Sequence, residues 1–375
     1  MKLAVALVVT ASVQGFTLST SERPRVLSAA DTYLHRAPQT ITAYRAVRSA
    51  GGVHDFFSEG DYWWPDPAHP DGPYIRRDGE SNPANFVEHR RAMVRLSIEV
   101  PALTAAWLLT KDGRYAEQAR RHLRAWFVEP ETRMNPSLTY AQAIHGVTTG
   151  RGTGIVDTIH LVEVVRAVET LRRAGMMPDA EFAAIGRWFS DYTAWLTTSK
   201  NGVEERDAGN NHGTCWVMQV AAFASLTGDA AQLEMCRRRF KDVLVPQQIA
   251  ADGSFPLEIE RTKPYGYSLF NLDAMATTCE ILGGDAWTFE LPDGRGMRRA
   301  VAFMAPYIRN RAAWPHRKDV QYFDEWPMRH PSLLFAGVAF DRADYLELWQ
   351  TLKADSDVEE VVRNFFIRQP LLWVH

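Results

Sequence analysis

Strict alternation of apolar and polar residues is nearly absent from this chain, while apolar residues recur every three or four positions in about a dozen segments. A chain without the period-two pattern has little to build a sheet from, so its core must come from helix packed on helix. Leu27, Ala30, Leu34, Ala37 and Ile41 open the pattern, which runs to about Ala50 and stops at Gly51-Gly52. Phe86, Met93, Leu96, Val100, Leu103, Ala106 and Trp107 predict a long helix over 85–109, followed after Thr110-Lys111-Asp112-Gly113 by a second over 113–127. Helical patterns also cover 157–173, 179–197, 212–227, 230–245 and 267–282, with shorter ones at 297–308, 331–340, 342–352 and 358–366. No fixed-period repeat relates them, and no composition break marks a linker. Helices paired by short turns predict one all-α domain, an α/α toroid in which helical hairpins pack in a ring.

Two stretches escape the helical pattern. Residues 54–79 and 132–154 are rich in Pro and Gly and read as loops, placed by a toroid at one end to form a cleft. The first carries Tyr62-Trp63-Trp64, although loops ordinarily lie on the surface. One of Trp63 and Trp64 is expected to stack on a sugar ring and the other to pin the loop. The second ends in Thr149-Gly150-Arg151-Gly152-Thr153-Gly154, which lacks the Lys-Ser/Thr and the preceding strand of a phosphate loop.

Composition narrows the function classes. With 46% hydrophobic and 23% charged residues the chain is an ordinary soluble globular protein. A net charge of −3 argues against a nucleic-acid partner and leaves an anionic ligand to local clusters of Arg. Lys2, the apolar run Leu3 to Val9 and the small or apolar residues near Gly15 read as a signal peptide over 1–15. That run is too short to span a bilayer, so 16–375 is expected to be a soluble periplasmic or secreted protein. Three cysteines argue against a disulfide framework, and Cys215 and Cys279 sit in apolar helical patterns as buried small residues. A Gly-x-Ser-x-Gly elbow, a His-Glu-x-x-His helix and a dinucleotide fingerprint are all missing. Asp157-x-x-His160, taken with His145, shows no evident third metal ligand, so neither metal nor cofactor is expected.

What remains is a set of Asn, His, Arg and Tyr. Asn210-Asn211-His212-Gly213 follows the turn formers Asp207 and Gly209 and precedes an apolar run from Cys215 to Leu226, so Asn211 and His212 fall on the first turn of a buried helix. Side-chain donors beside free backbone N–H groups make a place to hold a carboxylate. Arg261 and Tyr267 follow in one segment, Phe255 to Tyr267. These residue types suit β-elimination from a uronic acid. The C5 proton is poorly acidic because the neighbouring carboxylate is already negative, so donors and a cation (Asn211, His212, Arg261) must neutralise that carboxylate. A base must take the C5 proton and an acid must protonate the departing O4, and a Tyr beside an Arg can do both, since the cation favours the phenolate.

The sequence resembles the alginate lyase family of polysaccharide lyases. The matching stretches are Gly60-Asp61-Tyr62-Trp63-Trp64-Pro65-Asp66-Pro67, Met134-Asn135-Pro136 with Tyr140-Ala141-Gln142-Ala143-Ile144, Gly150-Arg151-Gly152 with Asp157-Thr158, Asn210-Asn211-His212, and Phe255-Pro256-Leu257-Glu258 leading to Arg261 and Tyr267. The resemblance spans roughly 27–340 and implies an α/α toroid, with Asn211, His212 and Arg261 on the substrate carboxylate and Tyr267 as base and acid. Two departures stand out. The step from Arg261 to Tyr267 is one residue shorter than in the best-known members, and Gly266-Tyr267-Ser268 stands where those read His-Tyr-His. Tyr265 therefore stays open beside Tyr267, which is favoured because Leu269-Phe270-Asn271-Leu272 aligns with the start of the family's next helix. The departures also resemble a branch acting on glucuronan as well as, or instead of, alginate. Tyr140, Gln142, His145, Arg151 and Arg90 are expected to line the cleft and meet sugar hydroxyls or neighbouring carboxylates, with Glu88 and Asp157 orienting the Arg side chains.

Two other classes compete. An inverting hydrolase on a similar ring needs two carboxylates across the bond, and Asp61, Glu88 and Asp157 are available. A non-catalytic uronate-binding protein would use the Trp63/Trp64 loop and keep its binding without Tyr267.

Overall fold

A computed structural model of the chain describes residues 12–13 and 16–374, so the signal-peptide reading lies almost wholly outside the described residues. Fifteen α-helices are seen among them: α1 (Leu18–Tyr33), α2 (Glu88–Thr110), α3 (Gly113–Phe127), α4 (Leu161–Arg173), α5 (Asp179–Thr198), α6 (Lys200–Arg206), α7 (Asn211–Thr227), α8 (Ala230–Arg239), α9 (Val245–Gln248), α10 (Pro256–Ile259), α11 (Pro264–Leu282), α12 (Met297–Arg309), α13 (Pro331–Ala339), α14 (Ala343–Thr351) and α15 (Glu359–Asn364). Sheet is confined to pairs of short strands. These are β1 (Ser12–Val13) with β2 (Phe16–Thr17), β3 (Phe57–Glu59) with β6 (Tyr140–Ala143), and β4 (Trp63–Trp64) with β5 (Ile75–Arg76).

The long helices alternate between two layers. α2 packs on α4, α4 on α7, α7 on α11 and α11 on α13, while α3, α5, α8, α12 and α14 lie outside them. The split follows from the side chains. From Asn211 to Leu226 every residue of α7 is buried except His212 and Ser225, as expected of a helix enclosed on all sides. α2 is the one helix among the described residues long and apolar enough to cross a membrane, and most of it is buried in the bundle. α3 is two-faced. Tyr115, Ala116, Ala119, Leu123 and Trp126 point inward, and Arg114, Glu117 and Arg121 face solvent. The arrangement is the α/α toroid expected.

The C-terminal segment closes the ring between α4 and α13. Glu163 of α4 accepts the backbone N–H groups of Arg368 and Gln369 at 2.9 and 2.7 Å, and Trp373 packs on Phe335 of α13. Burial pushes the Glu163 carboxyl up to about 7, against those hydrogen bonds. All three cysteines are free and buried.

Three local expectations change. The helix expected over 27–50 ends at Tyr33, and only Ile41–Ala43 turns again, because Pro38 lacks an N–H and disfavours helical backbone before it. The helix expected over 230–245 continues to Gln248 through a π turn at Phe240–Leu244. The two long loops are stitched into one wall. β3 of the first pairs in parallel with β6 of the second, and β4 and β5 form a hairpin carrying both Trp residues.

Candidate active site

The wall faces the first turns of α7 and α11 across a cleft of ≈ 310 Å³. Tyr62, Trp63, Gln142 and Arg151 line it from the loops, Asn211 and His212 from α7, and Arg261 and Tyr267 from the α10–α11 region.

α7 begins where the sequence places it. The Asn210 side chain accepts the His212 N–H at 3.3 Å as an N-cap. Gly213 allows the approach, since a Cβ there would stand 2.2 Å from the Ala208 carbonyl oxygen. Asn211 and His212 are each held from behind by a buried glutamate. Asn211 donates its backbone N–H and its Nδ2 to the two oxygens of Glu258, both at 2.7 Å. Burial raises the Glu258 carboxyl above its ordinary range, against the bonds from Asn211. His212 Nδ1 lies 2.6 Å from Glu205 Oε1.

Arg261 is clamped as well. Its Nε and Nη2 meet Asp78 at 3.2 and 2.9 Å, and Thr262 Oγ1 adds a bond at 2.8 Å. Burial would raise the Asp78 carboxyl, but Arg261, Thr262 and Arg76 hold it well below the usual range. The guanidinium lies over the ring of Tyr267, 4.5 Å from its centroid. Tyr267 in turn donates to the Tyr62 hydroxyl at 2.8 Å. Here the expected effect of the cation is outweighed. Burial and the Tyr62 neighbour raise the Tyr267 phenol well above its ordinary value, and Arg261 only opposes them. The physical reason is placement, because Arg261 covers the ring face and shares its charge with Asp78.

The two tyrosines differ in placement. Tyr265 is 0% exposed, and its hydroxyl donates to the Tyr307 carbonyl at 3.0 Å. It packs among Trp314 and Phe323, away from the cleft lining.

The two tryptophans also divide. Trp63 lines the cleft, with the Arg151 guanidinium 5.9 Å from its ring centroid. Trp64 does not; its Nε1 donates to the Glu80 carbonyl at 2.9 Å and Arg77 stacks on it, so it pins the loop. Gln142 adopts φ +48°, and its backbone N–H donates to Ser58 Oγ at 2.8 Å. Its Oε1 accepts Arg151 Nη2 at 2.8 Å. Among the described residues Arg151 has no carboxylate within salt-bridge distance, and burial lowers its guanidinium pKa.

Three expected contacts are not brought to the cleft. Tyr140 packs over Gly51, and His145 is exposed against the Tyr74 ring at 5.2 Å. Arg90 is buried behind the wall, bound to both oxygens of Asp61 at 3.0 and 2.7 Å, with Asp157 at 3.5 Å. Arg363 of α15 also meets Asp61, at 3.0 Å, and reaches the cleft, while Lys263 and Glu360 pair beside it at 2.8 Å. Glu88 bonds Arg91 at 2.6 Å, outside the cleft. His145 is exposed where Asp157 and His160 are buried, and no group of three or more His, Cys, Asp and Glu is set to hold a metal among the described residues.

The sequence reading missed Glu205, Glu258, Asp78, Tyr62 and Arg363. Tyr62 and Glu258 stand inside stretches that carry the resemblance, whereas Glu205, Asp78 and Arg363 have no local signal, since each depends on a partner distant in the chain.

An alginate lyase family model matches residues 40–314. A crystal structure of an alginate lyase from Bacteroides ovatus is 31% identical, with a TM-score of 0.82, covering 93% of this chain and 92% of that one. The alginate lyase A1-III of Sphingomonas species A1 shares the fold at 14% identity and a TM-score of 0.55, covering 95% and 94%. A variant of that enzyme complexed with a tetrasaccharide superposes at 15% identity, a TM-score of 0.55 and the same coverage. Among curated proteins, none matches the chain.

Proposed function

The chain belongs to the alginate lyase family, and from that premise we propose that it cleaves the 1,4-glycosidic bond of an anionic polyuronate, alginate or glucuronan, by β-elimination. The observation that carries this is the convergence of Asn211, His212, Arg261 and Tyr267 on one cleft from three separate segments. Tetrasaccharide complexes of a structural neighbour support an anionic saccharide as the ligand.

In this reading the uronate carboxylate sits against Asn211, His212 and Arg261, whose own partners prevent them from turning away. Withdrawal of charge into these donors lets the C5 proton leave. The C5–H bond breaks, the electron pair forms the C4–C5 double bond, and the C4–O4 bond breaks with a proton delivered to O4. Tyr267 is protonated at rest, so the reactive form is the one that has lost its proton to solvent. The phenolate takes the C5 proton as base and then, as acid, delivers that proton to the departing O4. The face on which C5–H lies decides whether His212 takes the place of the base. Trp63 gives a sugar ring an apolar face, and Arg151 and Gln142 meet neighbouring hydroxyls or carboxylates.

The three carboxylates considered for hydrolysis are not free in the cleft. Asp61 is shared by Arg90 and Arg363, Asp157 accepts from buried Ser58 at 2.5 Å, and Glu88 lies outside the cleft. The test is ultraviolet absorbance of a 4,5-unsaturated uronate, with EDTA present, on polymannuronate, polyguluronate, glucuronan and a neutral glucan in parallel. A rise on one polyuronate is expected and names the substrate. New reducing ends without that absorbance would sink the lyase reading in favour of hydrolysis. We further propose that 1–15 is a signal peptide directing export, which N-terminal sequencing of protein recovered outside the cytoplasm checks.

A further inference from the structure

α6 is seven residues long, and its sequence explains its place. Ser199 caps it by accepting the Gly202 N–H at 3.0 Å, and Gly202 sits so close to α5 that a Cβ would stand 2.0 Å from the Leu196 carbonyl oxygen. The helix is thereby pressed between α5, α7 and the 3₁₀ segment Gly152–Thr158, which burial of Gly202 and Glu205 completes. Glu205 is 2% exposed, yet its carboxylate is spent on one side chain, His212, which faces the cleft. A buried carboxylate aimed at an imidazole carries a definite consequence. An ionised carboxylate only accepts hydrogen bonds, so at 2.6 Å the hydrogen must sit on Nδ1. The nitrogen left to the cleft is Nε2.

We propose that Glu205 is a positioning residue for the reaction. It fixes the tautomer and ring orientation of His212, so that Nε2 is the atom presented to the uronate. The inference rests on the lyase reading but concerns a residue that reading does not use. It holds whether Nε2 meets the carboxylate as a donor in the charged imidazole or accepts the C5 proton in the neutral one, because Nδ1 stays with Glu205 in both. Glu205 borders the cleft but is 2% exposed with its carboxylate on His212, so its role runs through that ring. Its neighbour Glu204 also borders the cleft, but Glu204 is exposed, whereas Glu205 is buried with its carboxylate held on His212.

The test uses two substitutions and two readouts in the full-length protein. Glu205→Gln is isosteric and keeps the packing of α6, but its amide can donate to Nδ1 and so transfer the hydrogen of a neutral His212 to Nε2. Glu205→Asp keeps an accepting carboxylate. The imidazole ¹⁵N shifts of His212, assigned against His212→Asn, report the tautomer without any turnover. The unsaturated-uronate assay reports kcat and KM. The expected result is a hydrogen on Nδ1 in the parent and the aspartate variant and on Nε2 in the glutamine variant. With it, kcat falls on the order of 100-fold in Glu205→Gln while KM changes little, and Glu205→Asp recovers part of the loss. Glu205→Gln turning over within a few-fold of the parent, or a parent His212 carrying its hydrogen on Nε2, would overturn the proposal. A parent that yields no unsaturated product on any polyuronate overturns the lyase reading instead, and the ¹⁵N result then still decides the tautomer.

Discussion

At the scale of single residues, the cleft is built from side chains that each have a second partner behind them. Arg261 illustrates why this matters, because a free guanidinium would follow any anion, whereas Asp78 and Thr262 fix where its charge lies. Replacing Arg261 with Ala is expected to raise KM and lower kcat together, on the order of 100-fold or more in kcat/KM, as steady-state kinetics on the active polyuronate would show. Unchanged kinetics would remove Arg261 from the site. Tyr267→Phe is expected to keep oligouronate binding, read by calorimetry, and to lose turnover. The pH dependence carries a sign of its own. Burial holds the Tyr267 phenol well above its ordinary value, so its basic form is scarce at neutral pH and grows as pH rises. With Tyr267 as base, kcat/KM climbs into the alkaline range; a profile already flat above neutral pH would take the role of base away from Tyr267.

At the scale of elements, the loops and helix starts do different work. The β4–β5 hairpin carries one tryptophan for each purpose, and the two separate by experiment. Trp63→Ala is expected to raise KM with little change in melting temperature, through loss of a cleft face. Trp64→Ala releases the bond to the Glu80 carbonyl and the stacked Arg77, and is expected to speed proteolysis within 60–80 before it changes KM. The start of α7 is less forgiving. A methyl at Gly213 meets backbone rather than a flexible side chain, so Gly213→Ala has to move the first turn or the 207–210 turn. About 2 kcal/mol or more of stability should be lost by denaturant titration, typical of an overpacked position, and activity should fall further because Asn211 and His212 ride on that turn.

At the scale of the whole molecule, two buried ionic features hold the ring around the cleft. Asp61, Arg90, Arg363, Lys263 and Glu360 tie α2, α15 and the aromatic loop together. Removing Asp61 alone would leave two buried guanidinium groups short of a partner, a loss of roughly 3–5 kcal/mol for such a pair. The ring closure has a pH signature. The Glu163 carboxyl is raised to about 7 in the folded chain, above its value when unfolded. Its contribution to stability is therefore fully present below the unfolded pKa and is lost as pH rises through about 7. The melting temperature should decline between pH 5 and 8, and Glu163→Gln should flatten that decline; an identical slope in both proteins would take Glu163 out of the account.

Much of this was open to reading from the chain alone, for a physical reason. Helix periodicity is a local property, so the long segments over 85–109, 113–127, 179–197 and 212–227 and the all-α ring built from them were legible without coordinates. Asn211 and His212 were placed at a helix start by turn chemistry, and Arg261 and Tyr267 by residue type and the family resemblance; the structure brings all four to one cleft. Short α6 and α10 were not, since four to seven residues carry too little periodicity to stand out. Nor was the end of α1 at Tyr33, where an apolar spacing continued past a proline that stops the helix. The partners Glu205, Glu258 and Asp78, the turning of Trp63 inward and Trp64 outward, and the burial of Arg90 and Tyr265 away from the cleft were settled by tertiary contacts. Asp78 and Arg261 lie 183 residues apart, and only the packing of loop on ring brings such a carboxylate to its cation.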